Sequence, residues 1–168
     1  MRPWHGAPPV IVDTNVLIGQ WMTDLVAREP MHILDGMRGG LLRFAVCDVL
    51  LAEYREVLLR PKLKRRHLQA DEAVDAFVAQ ITAGAIRIET QPGPKAPDPG
   101  DQMLWDLLAS RDDLRLVTGD RLLLKNSRML GRVLTPEAFA VAWLQPDGNS
   151  MQTSIHPGEA TCLDSPIP

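Results

Sequence analysis

The chain predicts a three-layer α/β/α domain around a central parallel sheet. Two observations carry that expectation. Short aliphatic runs, Val10 to Asp13, Leu42 to Val46 and Leu114 to Thr118, read as strands buried on both faces. Segments with helical spacing separate them, and strands that alternate with helices imply parallel crossovers. At 168 residues, 45% hydrophobic and 23% charged, the chain can build one real core, which argues against general disorder.

In chain order, the strand Val10 to Asp13 is followed by an amphipathic helix from Asn15 through Val16, Leu17 and Ile18. Met31 to Met37 has helical character, and Gly39-Gly40 breaks it. After the strand Leu42 to Val46, Asp48 is a suitable N-cap for a helix through Leu59, which Pro61 cannot continue. Ala73, Val74, Phe77, Val78 and Ile81 give Asp71 to Ala83 a helical stripe, with Gly84 as its stop and a short strand at Ala85 to Ile88. The Pro/Gly-rich stretch 91–100 is loop. A helix then spans Pro99 to Ser110, a strand Leu114 to Thr118, and a helix starts at Arg121. A brief strand at Val133-Leu134 precedes a last helix, Pro136 to Leu144, capped by Thr135. Residues 1–144 thus form the domain. Residues 145–168, with prolines, glycines and few aliphatics, read as a disordered or loosely packed tail.

Charge and cysteine usage narrow the classes. The start MRPWHGAPP lacks an apolar core for a signal peptide, and no uncharged apolar run reaches the roughly 18 residues needed to span a bilayer. A cytoplasmic protein is expected. Cys47 and Cys162 have no CxxC spacing, which argues against a thiolate metal site or a disulfide framework. The net charge of −3 conceals a basic run at residues 60–67, RPKLKRRH; subtracting its five Lys and Arg leaves −8 on the remainder. Such a run is commonly a solvated surface, but beside an acidic metal pocket Arg60, Lys62, Lys64, Arg65 and Arg66 become candidate contacts to a phosphate backbone.

Four acids stand where elements begin or end: Asp13 in VIVDTNVL, Glu53 in LAEYREVLLRPK, Asp101 in DPGDQMLW and Asp120 in LVTGDRLLL. Asp13 and Asp120 follow the C-termini of strands, where open α/β sheets place their ligand crevice. Three of the four also have a local explanation. Asp13 and Asp120 could cap the helices that follow, and Asp101 could be a dipole-favoured third residue behind the cap Asp98 and Pro99. Glu53 shares a helix stripe with Val49, Leu50 and Val57, where an unpartnered carboxylate is costly to bury. Brought together, four carboxylates repel by roughly 4 kcal/mol per close pair at an effective dielectric near 20, which a shared cation would relieve. Thr14, Asn15 and Thr118 supply hydroxyl or amide groups beside these acids, or else simply form turns. His5, His32, His67 and His156 have no ligand or nucleophile spacing and read as surface or loop residues. GxxxxGKS/T, GxGxxG and GxSxG are absent, which removes the common nucleotide and hydrolase readings.

As a set these segments resemble the PIN-domain ribonucleases, and within them the prokaryotic toxin-like branch of toxin-antitoxin systems. That branch carries a VxDTNVL start, an LxEYxxVLxRPK segment, a DPxD helix start and S/T-G-D before leucines; the likeness spans Val10 to Leu144. One departure is Gly100 and Gln102, where many relatives place a second acid. The resemblance implies Mg²⁺- or Mn²⁺-dependent cleavage of RNA phosphodiesters by an acidic quartet of Asp13, Glu53, Asp101 and Asp120, leaving 5′-phosphate and 3′-hydroxyl ends. It also implies a small antitoxin protein as partner and a homodimer. The residues alone fit that chemistry, since hard divalent ions prefer carboxylate oxygen and need neither histidine nor a covalent nucleophile. Two alternatives remain at this level. A phosphotransfer module also places Asp after its first strand, although the haloacid-dehalogenase type needs a second Asp where Asn15 stands. A scaffold that binds metal or RNA without cutting is the other.

Overall fold

The computed structural model describes residues 6–25, 33–125 and 131–143. Its elements are β1 (Val10–Val12), α1 (Thr14–Asp24), α2 (Ile33–Arg38), β2 (Ala45–Val46), α3 (Asp48–Leu59), α4 (Pro61–His67), α5 (Asp71–Gly84) and β3 (Ile86–Arg87). A 3₁₀ turn (Pro99–Asp101) then leads into α6 (Gln102–Ser110), β4 (Arg115–Val117), α7 (Arg121–Leu124), β5 (Val133–Leu134) and α8 (Pro136–Trp143).

All strand pairings are parallel. β4 lies between β1 and β5, with Ile11 opposite Leu116 and Leu116 opposite Val133. β2 pairs with β3, and a parallel bridge from Val10 to Phe44 sets this pair beside β1. The order across the sheet is therefore β3-β2-β1-β4-β5. Every residue of β1 is buried, and Leu116 and Val117 of β4 are fully buried, as expected of parallel strands covered on both faces. Contacts run from α1 to α3, from α3 to α5 and from α2 to α5, while α6 packs on β1 and β4. Because successive strands step one way from β1 to β3 and the other way from β4 to β5, right-handed crossovers put these helix groups on opposite faces. The result is the three-layer α/β/α arrangement with a parallel sheet.

Several boundaries move. The strands are shorter than their aliphatic runs, because only two or three residues of each find a ladder partner. Cys47, not Asp48, occupies the N-cap of α3; Asp48 is the first helical residue and pairs with Arg87. Pro61 does end α3, yet it opens α4 from its N1 position, so the basic run is itself a helix. Pro99 starts a 3₁₀ turn, not α6 proper. The inward stripe of α3 is Leu50, Leu51, Tyr54 and Leu58, whereas Val49 is 59% exposed. His67 is no surface residue. Its Nδ1 accepts from the Gln69 N–H at 2.9 Å, its Nε2 lies 3.0 Å from the Leu58 carbonyl, and its ring packs edge-on against Trp21 at 5.2 Å. Cys47 is buried and free. Cys162, His5, His32, His156 and the expected tail lie outside the described residues.

Candidate active site

The connection leaving β1 runs toward β2, and the one leaving β4 runs toward β5. Between two neighbouring strands whose connections diverge, a crevice opens at their C-terminal ends. Asp13 follows β1 directly, and Thr118, Gly119 and Asp120 follow β4. The Asp13 N–H still bonds the Val117 carbonyl at 2.9 Å, which fixes the two strand ends relative to each other.

The crevice widens into a cleft of about 870 Å³ whose lining includes Asp13, Glu53, Asp101 and Asp120. The four acids come from four separate segments of sequence, and the fold brings them to one place. Asp13 is the most deeply set, at 6% exposure. It occupies the N-cap position of α1, but its side chain makes no capping bond; Oδ2 accepts instead from the fully buried Thr118 hydroxyl at 2.5 Å. The same hydroxyl accepts the Asp120 N–H at 2.9 Å, so Thr118 ties two of the acids together. Glu53 stands in the middle of α3 and not, as the sequence suggests, where an element begins or ends; it accepts from the Thr14 hydroxyl at 2.8 Å, the partner that its half-buried position requires. Tyr54, its neighbour on α3, donates to the Val12 carbonyl and anchors that helix to the end of β1.

Asp101 closes the 3₁₀ turn whose N-cap is Asp98, with Asp98 Oδ1 accepting from the Gly100 N–H at 2.7 Å. Asp101 in turn stands at the N-cap of α6, again without a side-chain capping bond. Gln102 pins the preceding loop: Oε1 accepts from the Ala96 N–H at 3.0 Å, and Nε2 donates to the Pro94 carbonyl at 3.1 Å and to Asp106 at 2.8 Å. Asp120 is the acid whose local explanation holds in part, since Oδ1 accepts from the Leu122 N–H at 2.6 Å and caps α7.

Electrostatics mark the cleft. Burial, followed by the negative charge of Asp13, Asp120, Asp98 and Glu53, pushes Asp101 from 3.8 up to about 6. Burial also raises Asp13, against the downward pull of the Thr118 hydroxyl. Glu53 is raised by burial and by Asp13, with Thr14 and Arg60 pulling the other way. Among the described residues none of the four acids forms an ion pair. A set of oxygen donors that repel each other and are bonded only to hydroxyls and backbone N–H groups fits a hard divalent cation. Among the described residues no three His, Cys, Asp or Glu side chains stand close enough to enclose an ion without moving.

The other expected residues divide. Thr14, Asn15, Arg60 and Arg66 line the cleft, and Thr118 lies beneath it; Lys62, Lys64 and Arg65 are not among its walls. Lys64 pairs with Asp71. The cleft also has an apolar wall of Ile18, Met22, Val57 and Leu63, which was not legible in the sequence. These residues recur at helical spacing on α1 and across α3 and α4, and a helical stripe by itself does not distinguish a cleft wall from core.

A parallel sheet whose switch point opens on four assembled carboxylates defines an acidic-pocket α/β protein. Residues 9–122 match the family model described as PIN domain, and with most of its length so matched the chain belongs to that family. PIN domains are generally nucleases. The fold is similar to that in the crystal structure of PAE2754 from Pyrobaculum aerophilum, with a TM-score of 0.53 and 17% sequence identity over 82% of this chain and 90% of that one. At that identity the likeness concerns the fold. No curated protein matches. Among the described residues no helix is long and apolar enough to cross a membrane.

Proposed function

We propose that the chain is a divalent-metal-dependent endoribonuclease and the toxin component of a type II toxin-antitoxin system. The observation that supports the nuclease part is the convergence of Asp13, Glu53, Asp101 and Asp120 on one cleft, with no basic side chain paired to any of them among the described residues. In this reading Asp13, held by Thr118, is the central ligand for Mg²⁺ or Mn²⁺, and Asp101 and Asp120 are further ligands. Glu53, oriented by Thr14, serves as a ligand or orients the attacking water. A bound ion supplies a more acidic water and charge stabilisation at the phosphorus. Water oxygen bonds to phosphorus, the bond from phosphorus to the 3′ oxygen breaks, and that oxygen leaves protonated as the 3′-hydroxyl. Asn15, exposed at the cleft, would donate its amide to the substrate.

The toxin part rests on the resemblance of the four motifs to the toxin-like branch. It carries with it a cytoplasmic location, a homodimer, and a small antitoxin that presents Arg or Lys to the carboxylates.

Purified protein incubated with RNA and Mn²⁺, with and without EDTA, tests the first part. Cleavage should require the metal and fall by about 100-fold or more in Asp13→Asn, beyond the range typical for loss of a group that only supports a ligand. Cleavage that survives both EDTA and the substitution removes the assignment. Expression in a bacterial host tests the second part, with slowed growth relieved by Asp13→Asn as the expected result. Normal growth alongside recovery of active enzyme removes the toxin role and leaves the nuclease.

A further inference from the structure

The basic run is split by the geometry of α4. Arg60, Leu63 and Arg66 recur every third residue, share one face and line the acidic cleft. Lys62 and Arg65 are exposed, lie outside the cleft and have no ion-pair or hydrogen-bond partner among the described residues. Arg66 is likewise exposed and unpartnered among the described residues. Arg60 sits at the junction of α3 and α4, with a backbone ψ of 135°. It pairs with Glu56 at 3.3 Å, and the two side chains are 58% and 73% exposed. Ion pairs so exposed hold weakly, so Arg60 can leave Glu56 at little cost.

A cleft with four carboxylates repels a phosphodiester unless cations on its walls offset that charge. Guanidinium groups suit this task, because their planar fork can hold two phosphate oxygens at once. Resting on the nuclease reading, we propose that Arg60 and Arg66 seat the RNA backbone against the acids, Arg60 exchanging Glu56 for a phosphate. They are positioning residues for the reaction, whereas Lys62 and Arg65 act only on encounter and affinity.

The test uses the full chain and a short single-stranded RNA of mixed sequence. Binding is measured in Ca²⁺ over a range of salt, and single-turnover cleavage in Mn²⁺ with enzyme in saturating excess over RNA. Arg60→Ala and Arg66→Ala should each lower the slope of log Kd against log salt by about 0.7, one phosphate contact on a single strand. Each should also slow cleavage at saturation by about 10-fold or more, the scale of a misplaced reacting group. Lys62→Ala and Arg65→Ala should mainly raise the enzyme concentration needed for half the maximal rate, with less than about a threefold effect on the saturated rate itself, as expected for charges that steer encounter. Glu56→Gln should tighten binding slightly, and Arg60→Lys should restore the salt slope but not the rate. Wild-type cleavage by saturated Arg60→Ala and Arg66→Ala overturns the assignment. A protein that binds with a slope dependent on Arg60 and Arg66 yet cuts no RNA in any divalent metal upholds phosphate seating at these residues and removes the nuclease reading. Melting curves for each variant verify the fold, which these exposed side chains do not support.

Discussion

Asp101 is the acid most exposed to its neighbours' charge, and its behaviour follows from sign alone. With the native carboxyl at about 6 against an ordinary 3.8, the folded chain keeps a proton between about pH 4 and 6 that the unfolded chain has lost. Stability associated with this group is therefore fully present below pH 3.8 and is lost as pH rises through about 6. Asp13 and Glu53 shift the same way and add to the slope. In metal-free buffer, melting temperatures should fall over that window, and Asp101→Asn should flatten the fall; a wild-type slope in the variant contradicts the charge cluster. Divalent-ion affinity should run opposite, rising through pH 6 as the proton leaves. Thr118 offers a second check, because its buried hydroxyl donates to Asp13 and accepts from the Asp120 N–H. Thr118→Val should cost about 1–3 kcal/mol for the unsatisfied groups and about 10–100-fold in activity for the misplaced carboxylate, read from denaturant unfolding and cleavage rates. The acids were legible in the sequence as positions but not as a pocket. Nothing local separates Asp13, whose side chain does not cap, from Asp120, whose side chain does; only the 105-residue contact with Thr118 does so.

Helices α3 and α4 form the wall that faces the acids, and the joint between them sets their angle. Pro61 cannot continue α3 but is well placed at the first turn of a new helix, so the chain bends at Arg60 and resumes. His67 secures the far end of α4. With Nδ1 accepting from Gln69, Nε2 carries the hydrogen and donates to the Leu58 carbonyl of α3, and Trp21, itself stacked on Phe77 at 5.0 Å, covers the ring. His67→Ala should cost about 2–4 kcal/mol through the cavity and the stranded carbonyl, and should weaken RNA binding by letting α4 drift. Unchanged stability by denaturant unfolding would show that α4 is held otherwise. The sequence signalled the long helices through their apolar spacing, and it signalled Val133-Leu134 through two β-branched or aliphatic residues before a capped helix. It did not signal α4, because five cations in eight residues hide the single Leu63 that marks its inner face.

For the molecule as a whole, the parallel order β3-β2-β1-β4-β5 fixes where function can sit. The switch point between β1 and β4 is where Asp13, Thr118 and Asp120 emerge, and α3 and α6 bring Glu53 and Asp101 to it. The parallel sense of the strands was legible, since strands alternating with helices imply crossovers, but their order, with its reversal between β3 and β4, depends on long-range pairing that no local pattern encodes. The domain limit at residue 144 is a proposal, and removal of 145–168 tests it: the shortened chain should melt within a few degrees of the full one and cleave at a similar rate, whereas loss of folding would place part of the core in that segment. Anomalous diffraction from crystals soaked in Mn²⁺ tests the shared-cation cleft most directly. A peak in the cleft, ligated by Asp13 with one or more of Glu53, Asp101 and Asp120 and lost in Asp13→Asn, is the predicted result; Mn²⁺ bound only elsewhere, with these four carboxylates left apart, would contradict it.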